Sequence, residues 1–268
     1  IAGPGQTKTV GLLDAGSSDL ELGTEAASNG DPQIVGMRFT GLNIPKRAYI
    51  KSAYLQFTVD ATAKNTDPNN LIIKVQDADN PVTFNPANNF NISSRAKIND
   101  SVTWTTPAGT WTTVNAAGAD QRSTNIARLL QSIVDRNGWT SGNAVAFFIT
   151  GTGLREAKSY DLSPTDAVKL IVEYIPVTTV TFPILAADDD QEEWIAGTGQ
   201  TKTVGTLDAG SSDLEFGTES SGADPQMVGM RFANVQVPKN AIIRDARIRF
   251  TVDATNKNSD PVNVWVKA

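Results

Sequence analysis

The beginning of the chain recurs at its other end. Residues 1–25 read IAGPGQTKTVGLLDAGSSDLELGTE, and residues 195–219 read IAGTGQTKTVGTLDAGSSDLEFGTE. Three positions differ, Pro4/Thr198, Leu12/Thr206 and Leu22/Phe216, at a register of 194. One residue is dropped before Asp31, which aligns with Asp224, and the register is then 193 through to Val75 and Ala268. A period of this length is a whole domain, not one turn of a solenoid. The 268 residues are therefore expected to be a window on a longer tandem array of one domain. Each copy also serves as a control on how the other is read.

Hydrophobic patterning within the copies has period 2. Val35, Met37 and Phe39 alternate with small or polar residues, as do Ala53, Leu55, Phe57 and Val59. This is the mark of a strand with one packed face and one wet face. In the second copy Ala246, Ile248, Phe250 and Val252 keep the apolar face, while Tyr54 and Gln56 on the other face become Arg247 and Arg249. Further strands are expected at 71–75, 101–104, 144–150 and 168–175, with turn-rich segments between them. One helix interrupts, because Ile126, Leu129, Leu130, Ile133 and Val134 fall on a single stripe. Ser123 or Thr124 is expected to cap it, and Asn137-Gly138 to end it in the left-handed conformation. Many short strands with turn punctuation predict an all-β, jelly-roll-like β-sandwich with one short α-helix per unit, tandemly repeated.

The repeat sets where a unit begins. Pro176 closes one strand, and Val180, Phe182 and Ile184 alternate in what reads as the opening strand of the next unit, 177–184. Residues 1–176 are accordingly expected to be a first unit lacking its opening strand, and 177–268 the opening strand and N-terminal half of a second copy. With almost no linker between them, neighbouring units should be held stiffly.

Composition narrows the chemistry. The chain has no cysteine and no histidine, which removes Ser-His-Asp and Cys-His catalysis, thiolate metal sites and disulfides. Metal ligands would have to be oxygens, which suit hard cations such as calcium. A net charge of −6 argues against a nucleic-acid partner, and no apolar run is long enough to insert in a membrane.

The order of motifs resembles a known kind of domain. An acidic run, DDDQEEW, precedes SSDLEF; GMRFTGLNIPKRAYIKSAYLQFTVD, NISSRAKINDSVTWTTPAGTWTTV, GADQRSTNIARLLQSIVDRNGWTSGNAVAFFITGTG and SYDLSP with LIVEY follow. This arrangement is similar in style to the DNRLRE and disaggregatase-related jelly-roll domains of bacterial and archaeal extracellular proteins, and to carbohydrate-binding modules of that group. The resemblance implies a surface location and a role as spacer or binding module. It does not imply an activity, because fold does not fix function.

Acidic residues form the best candidate site. On an extended strand Asp188, Asp190 and Glu192 share one side, with Asp189 and Glu193 on the other. Asp213 and Glu215 share a side two residues apart, as do Asp19 and Glu21 in the first copy, and Asp161 could join from the closing end. Converging carboxylates repel unless a cation with six to eight oxygen ligands sits among them. The resemblance implies such a structural calcium near the first and last strands. Paired carboxylates also serve glycoside hydrolysis, but here they recur with the repeat and nothing signals a cleft.

Five tryptophans, Trp104, Trp111, Trp139, Trp194 and Trp265, are the candidates to stack on sugars. Trp104 and Trp139 read more simply as core. The chain is thus expected to be a structural repeat unit of a long extracellular fibre, stalk or adhesin, without catalysis, whose partners are neighbouring copies of itself, joined head to tail or by strand complementation. The alternative is a tandem carbohydrate-binding module with a polysaccharide partner, repeated for avidity.

Overall fold

The structure, a computed structural model, describes residues 8–25, 30–63, 65, 68–208, 210–220, 223–255 and 262–268. The chain divides into two compact units, Ile1–Thr178 and Thr179–Ala268. Among the described residues, strands in antiparallel sheets dominate and there is one α-helix, so the fold is all-β.

In the first unit, β2 (Val35–Phe39), β6 (Val145–Thr152), β4 (Asn70–Val75) and β5 (Val102–Trp104) form one antiparallel sheet in the order β2-β6-β4-β5. A second group pairs β1 (Asp19–Gly23) with β7 (Leu154–Lys158), and β3 (Tyr49–Gln56) with β8 (Lys169–Ile175). The chain leaving β3 bridges to β7 at Val59 and Ala157, which links the two pairs.

Alternate side chains from both groups enter one core. Leu22, Met37, Leu55, Phe57, Val59, Leu71, Ile73, Phe147 and Ile149 are all buried in it. Each such side chain contributes roughly 1.5–3 kcal/mol by leaving water. Phe57 stacks on Trp104 with ring centroids 5.2 Å apart and tilts against Trp111 at 6.3 Å.

The helix, α1 (Ala127–Val134), packs its Leu129, Leu130, Ile133 and Val134 face into the same core and lies against β3. Its ends differ from the sequence expectation. Asn125, not Ser123 or Thr124, accepts the Ala127 N–H at 2.9 Å. The Ser123 hydroxyl is instead occupied by the Leu55 N–H at 2.9 Å. Neither Asn137 nor Gly138 has a positive φ. Gly138 fits its place for another reason, since a Cβ there would collide with the Asp79 carboxylate, which pairs with Arg136.

In the second unit, β9 (Asp190–Trp194) pairs with β11 (Ala223–Met230), which also pairs with β10 (Thr218–Ser220). Two expected strands are absent. Residues 177–184 form no strand: Pro183 removes a ladder donor near the end of the run, and the edge is supplied a few residues later by β9. Residues 242–252, the copy of β3, also form none. In the first unit this sequence is paired by β8 and covered by α1, and residues 127–175, which carry both, have no second copy in this sequence. The consequence is visible in burial: Phe57 and Val59 are 0% exposed, whereas Phe250 and Val252 are 48% and 71% exposed. An alternating pattern specifies a face, but the face needs a partner.

Candidate functional site

The acidic segment and its neighbours meet in the second unit. Glu192 sits in the middle of β9 and is buried at 1% exposure. The Glu215 N–H donates to Glu192 Oε1 at 2.5 Å, and the Asp208 N–H donates to the Glu192 carbonyl at 2.8 Å. The Glu215 carboxylate accepts from the buried Gln226 amide at 3.4 Å. No hydrogen-bond partner reaches Glu192 Oε2 among the described residues.

Burial is the main influence on the Glu192 carboxyl and pushes it up to about 7. The Glu215 backbone N–H opposes this, and the neighbouring Glu215 carboxyl reinforces it. The buried Glu192 carboxyl, with the half-buried Glu215 carboxyl beside it, is disfavoured as a bare anion unless a charge compensates it. Either a proton or a cation supplies that charge.

The other predicted acids are placed differently. Asp188 lies exposed in a 3-10 turn, Ala187–Asp189, that precedes β9, so the strand alternation does not extend back to it. The buried acid of that turn is Asp189, whose carboxylate pairs with Arg231 at 2.6 Å. Sequence reasoning set Asp189 aside; the signal for it is the arginine kept in GMRF in both copies, Arg38 and Arg231. Asp190 opens β9 opposite Met230, and Asp213 accepts from the Ser211 hydroxyl at 3.5 Å.

Asp19, Glu21 and Asp161 belong to the first unit. Asp19 accepts from the Ser17 hydroxyl at 3.1 Å, Glu21 faces Glu156 across the β1–β7 ladder, and Asp161 is exposed in the turn after β7. Asp60 also lies close to this acidic neighbourhood. Burial raises its pKa, and the charge of Asp19 adds to the rise. Among the described residues, no group of three or more acidic side chains is arranged to hold a metal ion.

The tryptophans divide sharply. Trp104, Trp111 and Trp139 are buried, and the Trp139 indole donates to the Ile44 carbonyl at 3.0 Å. Trp194 is half-buried: its indole donates to Glu219 at 2.9 Å, and Lys202 lies over its ring. Trp265 is exposed. A polar hollow of about 230 Å³ is lined by Thr62, Asn65, Gly109, Trp111, Thr112 and Arg155. It is smaller than the ~300–1,000 Å³ of pockets that enclose a small-molecule ligand.

The two copies reproduce each other's contacts. The Lys8 N–H donates to Asp31 at 2.9 Å, and the Lys202 N–H donates to Asp224 at 3.1 Å. Lys8 pairs with Glu25 at 2.9 Å, and Lys202 with Glu219 at 3.2 Å. The Gln33 side chain donates to Glu21 at 3.5 Å, as Gln226 does to Glu215. The Gln33 and Gln226 N–H groups donate to the carbonyls of Gly23 and Gly217, at 3.0 and 3.1 Å. Both glycines have φ above +100°, which only glycine adopts freely.

No protein-family model matches the chain. No curated protein matches it either.

Proposed function

We propose that the chain is a run of tandem jelly-roll-like repeats from an extracellular fibre, stalk or adhesin, acting as structure and not as a catalyst. The observation that carries this reading is the set of contacts shared by the copies. Sequence repetition alone would be compatible with two segments in unrelated settings. Here Lys8 and Lys202 make the same backbone bond, to Asp31 and Asp224, and the same ion pair, to Glu25 and Glu219. A uniform array needs the same internal contacts in every unit. Burial of Trp104, Trp111 and Trp139 takes them out of reach of a sugar and weighs against the carbohydrate-binding alternative. The native material should prove to be a polypeptide much longer than 268 residues, and negative-stain microscopy should show filaments with an axial repeat of one domain. A native chain of this mass seen as isolated globules would overturn the reading.

The calcium expectation narrows to Glu192 and Glu215, the two predicted ligands in contact. The buried Glu192 Oε2, which has no hydrogen-bond partner among the described residues, supports it. A shared proton is the competing account. The two are separated by melting the protein at pH 8 with and without millimolar calcium. A bound cation raises the melting temperature of the wild type and leaves Glu192→Gln unchanged. Equal curves for the wild type would exclude calcium at this pair.

A further inference from the structure

Resting on the repeat reading, we infer that the outer edge of β2 in the first unit is a strand acceptor, and that the strand it takes has the sequence of segment 189–194. The argument starts from hydrogen-bond parity. Along an antiparallel ladder, successive residues direct their main-chain groups alternately to one neighbour and the other. The Gln76 N–H donates to the Ala146 carbonyl, which assigns the even-numbered residues of β6 to β4. Val145, Phe147 and Ile149 are left for β2, and they lie opposite Phe39, Met37 and Val35. The main-chain groups of Ile34, Gly36 and Arg38 therefore point away from the sheet. Among the described residues β2 is an edge, with no strand on that side.

The second unit shows what belongs there. Ile34, Gly36 and Arg38 correspond to Met227, Gly229 and Arg231. Those three face β9, as the bonds flanking them show: the Arg231 N–H donates to the Asp189 carbonyl at 2.5 Å, and the Ile195 N–H to the Pro225 carbonyl at 2.9 Å. The residues whose main-chain groups face outward in the first unit are thus the ones whose copies bond a strand in the second. An open edge of this kind is a template for strand addition.

The turn that holds β9 on its other side is also duplicated. There β9 is held by the Gly205 and Asp208 N–H groups, at 2.9 and 2.8 Å, and by the Thr206 carbonyl, at 3.2 Å. These positions are Gly11, Asp14 and Leu12 in the first unit. The turn that presents them is preserved, with N–H to carbonyl bonds from Leu12 to Thr9 and from Thr206 to Thr203, and with φ of 90° at Gly11 and 82° at Gly205. Side chains are matched as well. The Lys8–Glu25 pair occupies the place of Lys202–Glu219, which receives Trp194 in the second unit. Arg38, whose copy holds the Asp189 carboxylate, donates to the Pro81 carbonyl at 2.7 Å. The register places the docked Glu192 opposite Val35 and Asp190 opposite Met37.

The test uses the intact 268-residue chain and a fluorescent peptide of residues 185–197, LAADDDQEEWIAG, followed by anisotropy. Saturable one-to-one binding is expected. N-methylation of the peptide at Gln191 and Glu193 removes the donors that face the edge while leaving the protein untouched, and should weaken binding about tenfold or more. Arg38→Asp should also weaken it, and a peptide carrying Asp189→Arg should restore it. That rescue assigns the site to the first unit and shows that the variant is folded. No binding by the unmodified peptide, or binding indifferent to N-methylation and to the charge swap, would overturn the inference. The array itself is read by native mass and microscopy, so failure here leaves it standing.

Discussion

Phe57→Ala should destabilise the first unit by about 3–5 kcal/mol, while the same change at its copy, Phe250→Ala, should cost less than about 1 kcal/mol. The two residues sit in matching motifs, RFTVD at 249–253 and QFTVD at 56–60. Phe57 is 0% exposed, stacked on Trp104 and packed against Trp111, so its removal leaves a cavity walled by rigid rings. Phe250 is half-exposed and meets one ring, that of Phe216, at 4.6 Å. Denaturant unfolding followed by tryptophan fluorescence reads the first unit directly, because Trp104, Trp111 and Trp139 are all buried within it. Equal losses from the two substitutions would mean that the copy of β3 is packed as β3 is, and the contrast between the units would be void.

That contrast marks how far the sequence is legible. The alternation at Ala53, Leu55, Phe57 and Val59 identified a strand and its buried face, and the stripe from Ile126 to Val134 identified the helix and its core side. Both are local signals whose partners lie within the same unit. The same alternation failed at 242–252 and at 177–184. Period 2 says that a strand forms if an edge and a layer are supplied, and it is silent on the supplier. The acidic segment shows a finer limit. Asp188, Asp190 and Glu192 share a side only if the extended backbone begins before Asp188, and the 3-10 turn at Ala187–Asp189 shifts the phase so that Asp189 and Glu192 are the buried acids. The Glu192–Glu215 contact was within reach of the sequence as a pairing of two acidic segments. The Asp189–Arg231 pair was legible only by half: the arginine recurs in GMRF in both copies, but nothing local tells it which carboxylate will face it.

The β9–β11 sheet should lose stability as pH rises from about 5 to 8, by on the order of 2–3 kcal/mol, and Glu192→Gln should abolish the loss. In the unfolded chain Glu192 titrates near 4.5, and in the folded protein burial beside Glu215 raises it to about 7. The folded state then binds the proton more tightly. The stabilisation is complete below the unfolded value and is lost as pH climbs through the folded one. Asp224 runs the other way: the Thr201 N–H foremost, with the Thr201 hydroxyl and the Lys202 N–H, holds its carboxyl below the ordinary value of 3.8, so its contribution disappears only as pH falls toward and below that range. The two windows do not overlap. Because the chain contains no histidine or cysteine, no ordinary side chain competes to titrate near neutrality. Glutamine keeps the shape, accepts the Glu215 N–H and offers an amide donor to the Glu215 carboxylate, so the variant should be the more stable protein at pH 8. Hydrogen exchange of the β11 amides, corrected for intrinsic rates, reads this locally in the full chain. A wild-type protein whose protection is flat between pH 5 and 8, or a Glu192→Gln protein that keeps the slope, would show that the buried carboxyl holds neither a proton nor the role assigned to it. Added calcium at pH 8 distinguishes what replaces the proton: a bound cation restores the lost protection in the wild type alone, and a bare carboxylate pair does not respond.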